Sequence, residues 1–230
     1  MRILSVDTST ATCTVGLVDG DNLVAESVDQ SGRTHARHIM AMLNDSLNQA
    51  HMSLEDVDGF AVITGPGTFT GLRIGISTVQ GMAYALSKPV AGITSLDALA
   101  AQAQTALQYI CPMVDARRQE VYYGIYASHA RGLRQTGPYQ VASPAAMLEH
   151  IQGPCYFLGT GARMYRQLIA DTLGSRASFS EAEMDRIHSE VIAKLARAQL
   201  QTVTDQQLPD ASPVYIRRSD AEVNAHRPGR

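Results

Sequence analysis

Basic charge is scarce in this 230-residue sequence: 19 Lys and Arg stand against 22 Asp and Glu, a formal net charge of −3. A protein that grips nucleic acid mainly by neutralising phosphates shows a basic excess, so tight direct binding of RNA or DNA is not expected. Charge of either sign is thin, at 18% of residues against roughly 25% in ordinary soluble domains. Cysteine is rare as well. Cys13, Cys111 and Cys155 are odd in number and lack C-x-x-C spacing, which argues against a disulfide framework or a zinc knuckle and for buried free thiols in a reducing compartment. No apolar run approaches the ~20 residues of a membrane span, and the opening stretch meets Asp7 too early for a secretion signal. The expectation is a cytoplasmic protein that touches no membrane.

What is present suffices for a core. Hydrophobic residues make up 45%, and a chain of this length hides roughly 70% of its unfolded surface on folding. The run Ile3-Leu4-Ser5-Val6 ends at Asp7, the hydroxyl cluster Thr8-Ser9-Thr10-Ala11-Thr12 follows, and a second run covers Cys13–Val18. Asp19-Gly20-Asp21-Asn22 then leads into Leu23-Val24-Ala25-Glu26. Such punctuation between β-formers predicts a three-stranded antiparallel meander. From Thr34 the period turns helical. At about 100° per residue, Ala36, Ile39, Met40, Leu43, Leu47 and Ala50 form the stripe expected to meet the sheet, with His35, His38, Met42, Ser46 and Gln49 on a neighbouring face. Phe60–Ile63 reads as a strand, Gly71–Leu86 as a helix, Pro89–Ile93 as a strand and Ser95–Leu107 as a helix.

The second half restarts in the same way. Tyr109–Val114 ends at Asp115, a turn at Ala116-Arg117-Arg118-Gln119-Glu120 follows, and Val121–Tyr126 reads as the return strand. A short helix at Pro144–His150, a strand at Cys155–Leu158 entering Gly159-Thr160-Gly161, and helices at Ala162–Leu173 and Glu181–Leu200 complete it. Strand, acid, hairpin and strand thus occur twice, with Asp7 and Asp115 at matching places. We read two related α/β lobes, residues 1–107 and 108–230, facing across a cleft, the tail free to pack back on the first lobe. This is the duplicated, ribonuclease H-like arrangement of the actin-like, sugar-kinase and Hsp70 ATPase superfamily.

In that superfamily an acid at the end of the first strand orients a hydrated magnesium ion, and amides of the following hairpin cradle phosphate. Asp7-Thr8-Ser9 has this form, although a D-x-[ST] strand end is also ordinary turn chemistry. The matching turn of the second half carries Arg117, Arg118 and Gln119 where glycines would let a backbone close on phosphate, and Gly159-Thr160-Gly161 is a lone G-x-G. ATP catalysis by the chain alone is therefore not expected. His35 and His38 share a helical face, but neither H-E-x-x-H nor H-x-x-x-H occurs, so no metal site is assigned. The residues Gly65-Pro-Gly-Thr-Phe-Thr-Gly-Leu-Arg-Ile-Gly75 open a helix with two stripes: Leu72, Ile76, Val79, Ala83 and Leu86 on one, Gly71, Gly75, Thr78, Met82 and Ala85 on the other. Each interior glycine costs about 1 kcal/mol against alanine. Close packing on the chain's own sheet is one reason for them, and a helix arriving from another subunit is the other.

With these residues in place the chain resembles the bacterial TsaB family, also called YeaZ. The resemblance rests on the opening Ile3–Thr8, the Gly65–Gly75 element, Ser95-Leu96-Asp97-Ala98-Leu99, Asp115-Ala116-Arg117 with Glu120-Val121-Tyr122, and Pro213-Val214-Tyr215-Ile216-Arg217. It implies an actin-like fold and a non-catalytic scaffold subunit of the tRNA N6-threonylcarbamoyladenosine machinery. The implied partners are the larger paralogue TsaD, which holds the metal and transfers the threonylcarbamoyl group, and the ATPase TsaE, with ATP and a metal ion in those subunits and no cofactor here. It also implies that first-half helices pair with TsaD or, in the lone protein, form a homodimer. The interface expected on this basis comprises His35, His38, Met42, Ser46, Gly71, Gly75, Thr78, Met82 and Ala85; Gly71→Asp would break it while leaving the fold largely intact. Asp7, Thr8, Ser9, Asp115 and Arg117 would be the relic of a nucleotide site, and tRNA would be met through the complex, with the Arg217–Arg230 tail a weaker candidate for direct contact. Two other readings stay open: an ATP-binding phosphotransferase working through Asp7, and a metallopeptidase-like protein.

Overall fold

Alternating β-formers split by Asp-Gly turns build the first sheet as the sequence leads one to expect. In the computed structural model, which describes residues 1–32, 35–130, 132–202 and 211–217, β1 (Arg2–Asp7), β2 (Cys13–Asp19) and β3 (Asn22–Asp29) form an antiparallel meander. Two further strands, β4 (Gly59–Gly65) and β5 (Val90–Thr94), add in parallel on the other side of β1, giving the order β3-β2-β1-β4-β5. The second half repeats the plan. Its central strand β6 (Tyr109–Asp115) pairs antiparallel with β7 (Val121–Tyr123); then come a hairpin of β8 (Tyr126–His129) and β9 (Gly132–Gln135), then β10 (Gln140–Ala142), β11 (Cys155–Leu158) and β12 (Ala177–Phe179). The order β10-β7-β6-β11-β12, with β11 and β12 parallel to β6, matches the first sheet strand for strand, and β8 lines the start of β6. Asp7 and Asp115 therefore end equivalent central strands.

The helices are α1 (Ile39–Gln49), α2 (Phe69–Leu86), α3 (Ser95–Gln102), α4 (Pro144–Leu148), α5 (Thr160–Met164), α6 (Arg166–Leu173) and α7 (Ser189–Leu200). Strand alternation fixes which face each covers. Ser5 donates to the Ser189 carbonyl and a Cβ on Gly16 would strike Ser189, so those positions face α7. Thr8, of opposite parity, donates to the Gly71 carbonyl at 2.7 Å, and Ser46 lies against Val15 and Ser27. Hence α1 and α2 cover one face of the first sheet and α7 the other.

Several expectations need correction. Ile192, Ala193, Ala196 and Leu200 of α7 are buried in the core of the first lobe, so a boundary at 107/108 assigns this helix to the wrong lobe. Glu181–Leu200 is not one helix: a 3-10 turn at Ala182–Asp185 precedes α7. Tertiary bonds win there over local propensity. Asp185 accepts from the Gly159 amide at 2.8 Å, the Arg163 Nε at 2.8 Å and the Ser180 hydroxyl at 2.6 Å. Gln102 holds the same segment by donating to the Met184 and Arg186 carbonyls and accepting from the His188 amide. The same Gln102 ends α3, short of the expected Leu107. The expected helix Ala162–Leu173 is broken at Tyr165, and the expected strand Val121–Tyr126 at Gly124-Ile125. The tail beyond Arg217 lies outside the described residues, as does the expected helix start at Thr34.

Between the lobes, Leu96 and Leu99 of α3 pack in one core with Ile110, Val114, Tyr126 and Leu158 of the second sheet. The Tyr126 hydroxyl donates to Asp97 across the junction at 2.7 Å, and Thr94 donates to the other Asp97 oxygen at 2.7 Å. Burial, and next the Asp97 charge, push the Tyr126 phenol far up, so it stays a donor.

Candidate functional site: the interlobe corners and the outer helices

At the first corner Asp7 turns back on its own loop. Its Oδ1 accepts the Ser9 amide at 2.8 Å, and the residue is only 2% exposed. Burial raises its carboxyl above the usual range, with Ser9 and nearby His35 working against that shift. The loop Gly65–Thr68 presses on this turn: the Thr68 amide donates to the Ser9 carbonyl at 2.7 Å, and a Cβ on Gly67 would overlap Ser9. The Ser9 and Thr68 amides are thus engaged with protein. The hollow left between Ser9 and Thr10 on one side and Asp115, Arg117 and Thr160 on the other is about 200 Å³, below the roughly 300 Å³ at which small-molecule sites begin.

At the second corner Asp115 Oδ1 accepts the Arg117 amide, also at 2.8 Å, and Oδ2 lies 3.3 Å from the Arg117 guanidinium. The turn continues through Arg117, Arg118 and Gln119 with φ of 60°, 53° and 61°. Three successive side-chain-bearing residues in the left-handed region cost about 1 kcal/mol or more each, and such strain persists only where surroundings fix it. Here the segment 211–217 supplies some of that fixing. Arg217 pairs with Glu120 and donates to the Ala116 carbonyl at 2.8 Å; the Val214 amide donates to Thr64 of the first lobe at 2.8 Å. Tyr215 stacks on Phe69 at 4.6 Å and the Arg73 guanidinium caps that ring at 3.9 Å. Together they wall a hollow of about 510 Å³ that opens between the lobes. The structure thus brings Asp7, Thr8 and Ser9 together at one corner and Asp115 with Arg117 at the other, and Ser9, Asp115 and Arg117 share the smaller hollow. Phe69, Arg73, Tyr122 and Tyr215 are the wall residues to which the sequence reading gave no role; only the Gly65–Gly75, Glu120–Tyr122 and Pro213–Arg217 motifs signalled them.

The outer helices divide the expected interface. His35 is buried with its Nε2 2.8 Å from the Thr10 carbonyl, and Met42 and Ser46 are buried against the chain's own sheet. A Cβ on Gly71 would collide with the Thr8 carbonyl, and one on Gly75 with the Thr8 hydroxyl. These five positions are internal, because α1 and α2 sit close on β1 and β2, and the expectation that they meet a partner is overturned. Met40, expected to meet the sheet, is 59% exposed instead. His38, Thr78 and Met82 are half-buried and Ala85 is exposed; Gly81 has open space around it, and Tyr84 is 71% exposed. Thr78, Gly81, Met82 and Ala85 recur at three- and four-residue spacing, so they form one open row on α2.

Comparison with known proteins now bears on this geometry. Residues 24–225 match the family model described as TsaD: tRNA N6-adenosine threonylcarbamoyltransferase. The tRNA threonylcarbamoyladenosine biosynthesis protein TsaB of Bacillus subtilis (strain 168) is 31% identical over 97% of each chain. The chain belongs to the TsaB family. Among solved structures, YeaZ from Pseudomonas aeruginosa superposes with a TM-score of 0.73 at 30% identity, over 93% of this chain and 99% of that one. The ethanolamine utilization protein EutJ from Carboxydothermus hydrogenoformans, at 11% identity and a TM-score of 0.57 over 84% and 89%, shares the fold alone. The duplicated actin-like architecture is thereby established for this TsaB-family chain.

Proposed function

We propose that this chain is a non-catalytic subunit in tRNA N6-threonylcarbamoyladenosine biosynthesis. It binds and activates a TsaD-like paralogue through the outer face of its first lobe, lets a TsaE-like ATPase join the pair, and pairs with itself when alone. The observation that carries this reading is the open row Thr78, Gly81, Met82 and Ala85 on α2, flanked by exposed Tyr84. Low bulk at Thr78, Gly81 and Ala85 admits a second helix at close range. Family membership supports the rest, since the B. subtilis relative is named for this biosynthesis. ATP and a metal ion belong, in this reading, to the partner subunits. The crowding of the Asp7 corner by the Gly65–Thr68 loop speaks against phosphoryl transfer by this chain.

The test is to introduce Ala85→Glu and Met82→Glu and measure co-purification with the TsaD-like partner alongside melting temperature. A buried unpaired charge weakens pairing strongly, so at least tenfold weaker association is expected for Ala85→Glu, with melting unchanged because the site is exposed. Full pairing by both variants would refute the assignment of this face. Reconstitution of tRNA modification with each of three subunits omitted in turn checks the scaffold role; activity from this chain alone would end it.

A further inference from the structure

The Ser95–Leu99 motif carries an acid that pairing through α2 does not use. Asp97 takes one hydroxyl donor on each oxygen, from Tyr126 and from Thr94, and among the described residues no ion pair reaches it. A carboxylate offers about four acceptor sites, so these two hydroxyls leave acceptor capacity open. Asp97 also lines a hollow of about 370 Å³, within the range of small-ligand sites. The other walls are chiefly apolar: Ile93, Ala100, Ala101, Leu133 and Leu195, with Tyr126 beside the acid. The last turn of α7 borders the same hollow through Gln199, and a helix presents partial negative charge at its C-terminus. The cations of α7 turn elsewhere: Arg197 donates to Asp21, and Lys194 acts on that same acid. No described Lys or Arg lines the hollow, so its potential is negative. It shares no lining residue with either hollow of the cleft, and α7 covers the face of the first sheet away from α2.

We propose that this hollow binds a small aliphatic ammonium ion, its charged head on Asp97 and its hydrocarbon chain along Leu133 and Leu195. Two features select this chemistry together. The carboxylate and the helix end call for a cation, and the apolar walls call for methylene groups. A bare divalent metal ion satisfies only the first, since hard cations ask for about six oxygen ligands and one carboxylate lines the hollow. A neutral alcohol of the same shape satisfies only the second. An ammonium head on a short carbon chain meets both, as a lysine side chain does when it lays its stem on apolar surface and keeps its charge at a polar end. No bond is made or broken in this step.

The experiment titrates the full chain, without partner subunits, with butylamine, 1-butanol and magnesium chloride, following backbone amide shifts and binding isotherms. Butylamine should bind roughly tenfold or more tightly than butanol, the worth of a hydrogen bond to a charged group, with shifts at residues 92–101, 126, 133 and 195–199. Added salt should weaken the amine and leave the alcohol unchanged. Asp97→Asn should bring the amine down to the level of the alcohol. Because that change also touches the Tyr126 and Thr94 bonds, Leu133→Lys gives an independent check at a position 39% exposed. It brings an ammonium of its own to Asp97 and should abolish butylamine binding at unchanged melting temperature. No saturable shift with butylamine, equal affinity for butanol, displacement of the amine by magnesium, or full amine binding in Leu133→Lys overturns the proposal. Because the partner is absent from this assay, its failure leaves the pairing role of α2 standing, and loss of pairing by Ala85→Glu says nothing against it.

Discussion

Asp7 and Asp115 end equivalent strands of a repeated sheet, accept the amide two residues on at the same 2.8 Å, and yet live in opposite surroundings. The first is sealed by the Gly65–Thr68 loop and by α2 drawn close over Thr8. The second faces an open cleft beside arginines. One duplicated unit has therefore diverged into a corner used for packing and a corner left free to meet something else. The residues that decide the outcome are small at the first corner and long and cationic at the second.

The most damaging way to break the comparison is at Gly71. Valine there must displace the Thr8 carbonyl, backbone of a central strand end that cannot rotate away. Overpacking of this kind costs about 3 kcal/mol, a fall in melting temperature of roughly 6–12 °C for a chain of this size. Thermal unfolding of Gly71→Val followed by circular dichroism measures it. Unchanged melting would mean that α2 is not seated on β1 as described.

The duplication was legible before any coordinates because it is written in period-two runs that stop at an acid and a turn. The seating of α2 was not. A row of glycines reads identically whether a strand end or a foreign helix presses on it, and only the position of Thr8 separates Gly71 and Gly75 from Gly81. The lobe to which α7 belongs was likewise hidden, since its apolar stripe fits either sheet. The three-residue strands β10 and β12 are too short to show a period. The aromatic and arginine wall of the cleft escaped because Phe69 and Tyr215 lie 146 positions apart and meet only through the path of the chain.

Replacing each acid by its amide sharpens the contrast, with opposite signs. Burial raises the Asp7 carboxyl, so the folded state holds a proton that the unfolded chain releases near its ordinary value of about 3.9. Stability associated with Asp7 is full below that value and is lost as pH climbs through the raised one. Asp7→Asn keeps an oxygen for the Ser9 amide and removes the charge. It should exceed the parent in stability at pH 7 by on the order of 1 kcal/mol, the difference closing towards pH 3. Asp115→Asn instead removes a partner from Arg117, whose guanidinium is largely exposed, and should lose less than about 1 kcal/mol at pH 7. Denaturant titrations of both variants across that pH range decide it, and a destabilised Asp7→Asn at neutral pH would contradict the sealed-corner account.

The smallest effect separates the two halves of α2 itself. Gly81 is exposed and a Cβ there would touch nothing, so the chain's own packing offers no reason for it, unlike Gly71 ten residues earlier. Alanine at an unhindered helix position is favoured over glycine by about 0.8 kcal/mol, and Gly81→Ala should raise the melting temperature of the isolated chain by roughly 2–3 °C. If α2 receives a partner helix along this row, the added methyl must weaken pairing even as it strengthens the monomer. Opposite movement of melting temperature and association by one methyl group is an outcome that a helix serving only its own lobe cannot produce. Parallel movement, or none in association, would place the contact elsewhere on the first lobe.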